Sequence, residues 1–300
     1  MSLQPIYIVG PTACGKSDVA IALAAKLGGE IISVDSMQVY RGLDIGSAKP
    51  TAAERAQIPH HLIDVVGITE PFDAAKFVQL ARVAEADILA RGRVPIFCGG
   101  TGLYLKVFLD GLGEAPPADP ELRKQLEATP LDVLLAELRD RDPITFERID
   151  KQNARRVVRA IEVIRLTGKT FSAQRAEWAL KTSANLFGLA RPTEELRARI
   201  DARVNAMFAR GLVAETRELL ARGLEQNRTA MQAIGYRQVV EHLRGERSLA
   251  DAIELVKTKT RQFAKRQLTW FRRQLVVEWM DVPGERSVAD IIDDIAARVH

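Results

Sequence analysis

The feature that most constrains this chain is the stretch Gly10-Pro11-Thr12-Ala13-Cys14-Gly15-Lys16-Ser17, which matches G-x-x-x-x-G-K-[ST] at every fixed position. It follows the apolar residues 6–9 and precedes an apolar-periodic segment over residues 19–27, an order that predicts a strand, a glycine-bounded loop and a helix. Such a loop directs backbone N–H groups inward at a helix N-terminus, where the helix dipole favours negative charge. Lys16 adds a cation and Ser17 a hydroxyl suited to Mg²⁺. A di- or triphosphate ligand is therefore predicted, against the alternative of a chance glycine turn.

Further strand and helix signals alternate over residues 1 to about 110. Residues 30–34 and 94–98 read as buried strands and residues 72–90 as a helix, with apolar positions at Phe77, Leu80, Val83 and Leu89. Short buried strands joined by helices predict a parallel sheet. The chain is therefore predicted to be an α/β protein with a P-loop NTPase-like parallel sheet core.

Polar residues follow three of the predicted strands. The phosphate-binding loop, Asp35 and Thr101 each follow a strand end, so they are expected to converge on one crevice. The strand at 94–98 ends in Gly99-Gly100-Thr101-Gly102 and lacks the carboxylate that a P-loop ATPase or kinase would use to help hold Mg²⁺. This absence argues against phosphoryl transfer and leaves open what the bound phosphate does.

The composition changes after residue 110. Residues 111–120 are rich in Gly and Pro and predict a linker, after which helical periodicity dominates to about residue 276. A short strand is predicted at 186–189, and helices resume from Thr193. We therefore predict a catalytic core formed by residues 1–114 and 181–300, with C-terminal helices, and a mostly helical insert over residues 115–180.

The apolar runs and the cysteines bear on the cellular compartment of the protein. The sequence has no run of about 18 apolar residues, so a membrane span is not expected. The first predicted strand begins almost at once, which argues against a signal peptide. The two cysteines, Cys14 and Cys98, suggest a reducing compartment, and each reads as a small buried residue. A cytoplasmic location is the expectation.

Positive charge is concentrated in two places. The net charge is +4, and residues 255–277 contain basic side chains without an acidic one: Lys257, Lys259, Arg261, Lys265, Arg266, Arg272 and Arg273. In the predicted insert, the basic residues Arg148, Lys151, Arg155 and Arg159 would form one stripe of a helix, opposite the apolar residues Val157, Ile161 and Ile164. Such stripes are often solvated faces. Two of them, with Phe263, Trp270 and Phe271 interleaved in the second, favour a nucleic-acid surface, although Trp270 and Phe271 could instead pack in a core.

The motifs resemble those of the bacterial tRNA dimethylallyltransferases, or tRNA isopentenyltransferases, over nearly the whole chain. Besides residues 10–17, the resemblance rests on the following segments: Asp35-Ser36-Met37-Gln38-Val39-Tyr40-Arg41-Gly42 with Asp44-Ile45-Gly46, Pro59-His60-His61-Leu62-Ile63-Asp64, Gly99-Gly100-Thr101-Gly102-Leu103-Tyr104, Arg155-Arg156-Val157-Val158-Arg159-Ala160, Ala233-Ile234-Gly235-Tyr236-Arg237-Gln238, and Lys265-Arg266-Gln267-Leu268-Thr269-Trp270. Cys14 departs from the family, which more often has Ser there. The chain also ends without the Cys pair of a zinc finger that eukaryotic members often carry.

The resemblance implies transfer of a dimethylallyl group from dimethylallyl diphosphate to N6 of the adenosine on the 3′ side of the tRNA anticodon. The implied partners are the anticodon stem-loop of tRNA and dimethylallyl diphosphate, with Mg²⁺ as cofactor. No membrane partner is expected, and the protein is expected to be a monomer. The phosphate-binding loop would then hold a diphosphate leaving group rather than a transferred phosphoryl group.

Four residues are assigned catalytic roles on this basis: Asp35, Thr101, Lys16 and Arg203. Asp35 is hypothesised to be the general base that takes the N6 proton, the alternatives being an outer Mg²⁺ partner or a helix cap. Thr101 would hydrogen-bond the target base, unless it only caps the following helix. Lys16 would neutralise the departing diphosphate. Arg203 resembles a second diphosphate-binding cation, the alternative being a surface arginine.

Binding sets complete the prediction. The residues implied to bind diphosphate are Gly10, Pro11, Thr12, Ala13, Cys14, Gly15, Lys16, Ser17 and Arg203. Ser17 would also bind Mg²⁺. The implied tRNA-binding residues are Asp35, Ser36, Met37, Gln38, Thr101, Arg123, Arg155, Arg156, Val157, Val158, Arg159, Gln232, Gly235, Tyr236, Arg237, Lys265, Arg266, Gln267, Trp270 and Arg272. His60 and His61 are given no role.

Three other functions remain to be weighed. A small-molecule kinase would use the loop on ATP, but the missing acidic residue argues against it. Prenylation of a free adenine nucleotide would leave the cationic stripes without a purpose. An RNA-binding protein with an inactive loop would have little reason to keep Lys16, Ser17, Asp35 and Thr101 together.

Overall fold

The computed structural model describes residues 4–111, 116–174 and 182–299. Its strands are β1 (Ile6–Val9), β2 (Gly29–Val34), β3 (His60–His61), β4 (Val94–Gly99), β5 (Thr182–Ala190) and β6 (Val276–Asp281). Its α-helices are α1 (Lys16–Leu27), α2 (Ala52–Gln57), α3 (Ala74–Ala90), α4 (Gly102–Asp110), α5 (Pro120–Ala128), α6 (Leu131–Arg141), α7 (Pro143–Arg148), α8 (Ala154–Thr167), α9 (Phe171–Gln174), α10 (Thr193–Ala209), α11 (Leu212–Ala221), α12 (Tyr236–Leu243), α13 (Leu249–Gln274) and α14 (Val288–Arg298). Short 3₁₀ turns cover Leu224–Gln226 and Ala230–Gln232.

The strands form one parallel sheet in the order β3-β2-β4-β1-β5-β6. The central strand β1 pairs with β4, where Ile6 lies opposite Ile96, and with β5, where Tyr7 lies opposite Leu186. The predicted α/β class with a parallel sheet core is therefore confirmed. Because β2, β4 and β1 are neighbours and parallel, the segments that follow them emerge at the same edge.

Alternation along β1 divides the core between the two faces of the sheet. Ile6 and Ile8 face the layer that contains α1 and α14, and Tyr7 and Val9 face the layer that contains α3 and α4. The Tyr7 ring stacks on Phe97 with centroids 5.0 Å apart. Each such side chain, fully buried, stabilises the fold by about 1.5–3 kcal/mol.

Several predicted elements differ from the structure. The helix predicted over 72–90 begins at Ala74, because the Asp73 side chain accepts the N–H of Lys76 and caps it. Of the apolar positions named for this helix, Phe77 is fully buried, whereas Val83 is 65% exposed. The edge strands β3 and β6 were not predicted, whereas α13 ends at Gln274, close to the predicted end of helical periodicity at about residue 276.

The chain forms two compact units. One comprises Met1–Leu109 with Leu180–His300, and the other comprises Asp110–Ala179. The domain boundaries predicted at 114/115 and 180/181 lie outside the described residues. Within the described ranges, no helix is both long enough and apolar enough to span a membrane.

The second unit is helical and has its own core around α8. Val157, Ile161 and Ile164 are buried there, as their spacing predicts. Arg148 and Lys151 do not share that helix, however: Arg148 ends α7, and α8 begins only at Ala154, where Asn153 caps it by accepting the N–H of Arg156. The predicted single stripe is therefore interrupted by a turn.

Candidate active site

A cavity of about 80 Å³ opens at the edge of the sheet where β1, β2 and β4 end. It brings together the phosphate-binding loop, Asp35 after β2 and the end of β4, as their positions at strand ends predict, whereas Thr101, two residues beyond β4, is not part of its lining. Its lining comprises Thr12, Lys16, Ser17, Ala20, Ile31, Ser33, Asp35, Gln38, Ser47, Ala48, Pro50, His60, Cys98, Gly99, Arg203, Phe263 and Gln267.

The phosphate-binding loop owes its shape to glycine and to contacts from later segments. Gly10 has φ +151°, and a Cβ there would lie 2.7 Å from the carbonyl oxygen of Leu189 on the neighbouring strand. Gly15 has φ +103° and caps α1. Arg199 donates from Nε to the carbonyl of Ala13 at 2.9 Å. This bond ties the loop to α10, and the N–H groups at the N-terminus of a helix such as α1 favour an anion.

Lys16 and Ser17 stand at the first turn of α1, where the helix dipole favours negative charge. The Lys16 Nζ donates to the carbonyl of Pro11 at 3.3 Å, which folds the side chain back over the loop. Ser17 is exposed. Cys14 and Cys98 are both buried free thiols, and burial raises the pKa of Cys98 to about 12, so this thiol is protonated near neutral pH.

Asp35 enters the cavity from the end of β2. Its Oδ1 accepts the backbone N–H groups of Met37 at 2.8 Å and of Gln38 at 3.3 Å, which fixes the direction of the carboxyl group. Burial raises the pKa of Asp35, and the Met37 N–H and the positive charges of Lys16 and Arg203 oppose that rise. Asp35 thus caps the turn that follows β2, and its environment brings its pKa nearer to the range in which a carboxylate accepts and releases a proton efficiently.

Thr101 connects the segments after β4 and β2. Its Oγ1 accepts the backbone N–H of Ser36 at 3.0 Å. This contact places Thr101 next to the turn that carries Asp35, and it gives the hydroxyl a partner other than the start of α4.

Gln38 holds the far wall of the cavity. Its Oε1 accepts the Ser33 hydroxyl at 2.8 Å, and its Nε2 donates to the carbonyls of Ser47 at 3.4 Å and Ala48 at 3.3 Å. Beyond them, Lys49 is buried and donates to the Tyr40 carbonyl at 2.9 Å. The Gln38 amide thereby links the end of β2 to residues 47 and 48 on the other side of the cavity.

Arg203 faces the cavity from α10. It is half-buried, and within the described ranges its guanidinium makes no hydrogen bond or ion pair. Burial lowers the pKa of Arg203, while the nearby Asp35 and Asp18 oppose that shift. A guanidinium in this position is suited to a ligand with several anionic oxygens.

Tyr236 is placed differently from the surface contact that the sequence predicts. It is fully buried, donates its hydroxyl to Glu215 at 2.6 Å and accepts the N–H of Gly46 at 3.0 Å. A Cβ on Gly46 would lie 2.4 Å from the Tyr236 ring. Gly235 is buried as well, at the start of α12. The Tyr236 side chain is therefore not exposed to RNA in this structure, and neither is the backbone of Gly235, whereas Gln232 and Arg237 are exposed.

The basic residues of the second unit fall into two groups. Arg123 and Arg159 both pair with Glu162, which is fully buried, at 2.5 and 2.6 Å. Arg155 and Arg156 are exposed at the start of α8. Val157 and Val158, also predicted to contact tRNA, are buried in the core of the unit, so any contact there has to come from their exposed neighbours.

On α13 the predicted tRNA-contacting residues are also divided. Lys265, Arg266 and Arg272 are exposed, whereas Gln267 is buried. Trp270 packs against Gly102, where a Cβ would lie 2.2 Å from its ring. The neighbouring Phe271 is in the hydrophobic core, which agrees with the packing alternative for that residue.

Several residues of the site could not be chosen from the sequence. His60 lines the cavity and donates from Nδ1 to the Ile58 carbonyl at 2.7 Å, and burial lowers its pKa, which favours the neutral ring. Arg199 bonds the phosphate-binding loop through the Ala13 carbonyl, and Glu215 accepts the N–H of Ile45 as well as the Tyr236 hydroxyl. Their only sequence signal is a position on an amphipathic helix, which many surface residues share.

The cavity offers few ligands to a metal ion from the protein alone. Across the described ranges, no cluster of three or more His, Cys, Asp or Glu side chains could hold one. Mg²⁺ commonly uses one or two protein oxygens together with substrate phosphates. The Ser17 hydroxyl, exposed beside Lys16, fits such an arrangement.

Comparison with known proteins identifies the family. Residues 38–274 match the family model described as IPP transferase. The chain is 49% identical over 290 residues to tRNA dimethylallyltransferase 1 of Trichlorobacter lovleyi, covering 94% of this chain and 95% of that protein. It is also 49% identical over 288 residues to tRNA dimethylallyltransferase of Anaeromyxobacter dehalogenans, covering 94% of this chain and 96% of that protein.

Solved structures of the same family also match this chain. The full-length tRNA isopentenylpyrophosphate transferase of Bacillus halodurans superposes with a TM-score of 0.73 at 38% identity, covering 99% of this chain and 97% of that one. A eukaryotic dimethylallyltransferase acting on tRNA superposes with a TM-score of 0.81 at 29% identity, covering 100% of this chain and 81% of that one.

Proposed function

Because the chain belongs to the family of tRNA dimethylallyltransferases, we propose that it transfers a dimethylallyl group from dimethylallyl diphosphate to N6 of the adenosine on the 3′ side of the tRNA anticodon. The single observation that carries this proposal is the arrangement of the cavity. A carboxylate with a raised pKa, Asp35, lines the cavity together with the phosphate-binding loop, with Lys16 and Arg203 as its nearby cations, and the next residue, Ser36, is bonded to Thr101.

In the proposed reaction the adenine N6 attacks the allylic carbon, a C–N bond forms, and the C–O bond to diphosphate breaks. Asp35 accepts the N6 proton as the new bond forms, because a carboxylate within hydrogen-bond reach makes an aromatic amine a better nucleophile. Its Oδ1 is held by the backbone of Met37, which leaves Oδ2 for the substrate. Thr101, beside it, is proposed to hydrogen-bond the base, which must leave its stack to reach the cavity.

The other end of the cavity serves the leaving group. We assign the loop N–H groups, Lys16 and Arg203 to the negative charge that grows on the departing diphosphate. Mg²⁺, when bound, would supply further charge neutralisation, and Ser17 would hold it together with diphosphate oxygens. The exposed Arg155, Arg156, Lys265 and Arg266 are proposed to contact tRNA phosphates.

The experiment is an incubation of the protein with dimethylallyl diphosphate labelled in its prenyl group, Mg²⁺ and unmodified tRNA. Parallel reactions replace tRNA with free AMP, or the diphosphate with ATP. Label in acid-precipitable tRNA supports the proposal. Label only in AMP would assign the protein to nucleotide prenylation, and phosphate release from ATP without prenyl transfer would assign it to phosphoryl chemistry.

A further inference from the structure

Gln267 is a buried residue within the exposed basic segment of α13. Lys265 and Arg266, directly before it, are exposed, whereas Gln267 is only 7% exposed and lines the cavity. The Gln267 side chain therefore contacts other segments of the protein, whereas the side chains of Lys265 and Arg266 face solvent.

Both ends of the Gln267 amide are used by backbone groups of the active-site loops. Its Oε1 accepts the N–H of Thr12 in the phosphate-binding loop at 2.8 Å. Its Nε2 donates to the carbonyl of Gly100, after β4, at 3.0 Å. A primary amide is the side-chain group that offers a donor and an acceptor in one rigid plane.

The fit between α13 and the segment after β4 is close. A Cβ on Gly100 would lie 2.2 Å from the Gln267 Nε2, so the contact requires glycine at that position. The next residue, Thr101, accepts the N–H of Ser36, which follows Asp35. A continuous series of contacts therefore runs from Thr12 through Gln267 to the neighbourhood of Asp35.

We propose that Gln267 is a positioning residue that holds the phosphate-binding loop in register with the Gly100–Thr101 turn. The proposal rests on the proposed function. The diphosphate would be bound at one end of this bridge and the base at the other, and a misplacement of reacting groups by 1 Å costs about 10²-fold in rate. Gln267 thereby fixes the distance between the prenyl donor and its acceptor, rather than binding tRNA.

The test compares Gln267→Met with Lys265→Met. Methionine keeps approximately the volume of glutamine but makes neither backbone bond. For Gln267→Met we expect the KM for dimethylallyl diphosphate to rise and kcat to fall, each by roughly tenfold, in line with the loss of buried hydrogen bonds. The Kd for tRNA, measured by filter binding without the diphosphate, stays within about twofold because no phosphate contact is lost. For Lys265→Met we expect the opposite pattern: a weaker Kd for tRNA and an unchanged KM for the diphosphate.

A Gln267→Met protein that binds tRNA weakly with an unchanged KM for the diphosphate would overturn the proposal and return Gln267 to the RNA-binding surface. Unchanged constants throughout would also overturn it. If the variant does not fold by circular dichroism, Gln267→Asn, which keeps the amide but is too short to reach both loops, is measured in the same way. Failure of both to fold would show a purely structural role. A wild-type protein that transfers no prenyl group would instead refute the proposed function.

Discussion

Replacement of Asp35 by Asn is the most informative single change, because it removes the charge and little else. The Oδ1 of asparagine still accepts the N–H groups of Met37 and Gln38, so the turn after β2 keeps its shape. What disappears is the ability to accept a proton from the adenine N6.

The expected loss of kcat follows because the substitution removes the charge and keeps the hydrogen bonds. General-base catalysis contributes about 10²–10⁴-fold to a rate. We therefore expect kcat to fall by about that factor, while the KM for dimethylallyl diphosphate and the Kd for tRNA change little. Stability should not fall: burial raises the pKa of Asp35, so the charged form costs folding free energy above that pKa, and asparagine removes this cost.

The assay is single-turnover transfer of labelled prenyl group at saturating tRNA, together with thermal unfolding of both proteins at neutral pH. A matched control is Asp18→Asn, which changes an exposed carboxylate at the start of α1 and keeps Asp35. Near-normal turnover by Asp35→Asn would refute the assignment, and a large loss of thermal stability would show that the residue is mainly structural.

Four further predictions follow from the same structure. The single-turnover rate should fall as the pH is lowered through the raised pKa of Asp35, since the protonated acid accepts no proton, and a rate that rises towards acid would contradict this. Arg203→Ala should raise the KM for dimethylallyl diphosphate at least tenfold (about 1.4 kcal/mol), and unchanged diphosphate kinetics would be incompatible with its assigned role. Tyr236→Phe should lower the free energy of unfolding in urea by about 1–3 kcal/mol, because Glu215 and Gly46 lose a buried partner, without weakening tRNA binding. Finally, the Kd for tRNA should rise steeply with salt, and Arg156→Ala should reduce the slope of log Kd against log salt by roughly 0.7; a slope that the variant leaves unchanged would remove Arg156 from the phosphate contacts.

The strand-end positions of the site were predictable because the relevant signals are local. The spacing of Gly10, Gly15 and Lys16 indicates a loop between a strand and a helix, and Asp35 and Thr101 come within three residues of the end of an apolar run. Once a parallel sheet is inferred, these positions must lie at one edge. No interaction between distant segments is needed for that conclusion.

The edge strands were not predictable for the opposite reason. β3 consists of His60–His61 alone and exists only because it pairs with Ile31 and Ile32. β6 is the last strand of the sheet, is mostly exposed or half-buried, and follows directly on a long helix. Neither has a strong pattern of its own, so both depend on their neighbours.

The burial of single residues within basic segments was likewise not predictable from the sequence. Tyr236 and Gln267 stand beside exposed cations, yet each turns inward to partners far along the chain, Gly46 and Gly100. Arg159 reads as part of a charged stripe, although its partner Glu162 is fully buried. Helical periodicity indicates which residues could be exposed on one face of a helix. Which of them are exposed depends on how other segments of the chain pack against that face.

The most direct test of the central claim is the site of modification in tRNA. Unmodified tRNA is incubated with the protein, dimethylallyl diphosphate and Mg²⁺, digested with nucleases, and examined by liquid chromatography and mass spectrometry. We predict N6-dimethylallyladenosine at the single position on the 3′ side of the anticodon, and none with Asp35→Asn. Prenyl groups on other positions or other atoms, or tRNA that stays unmodified, would contradict the account.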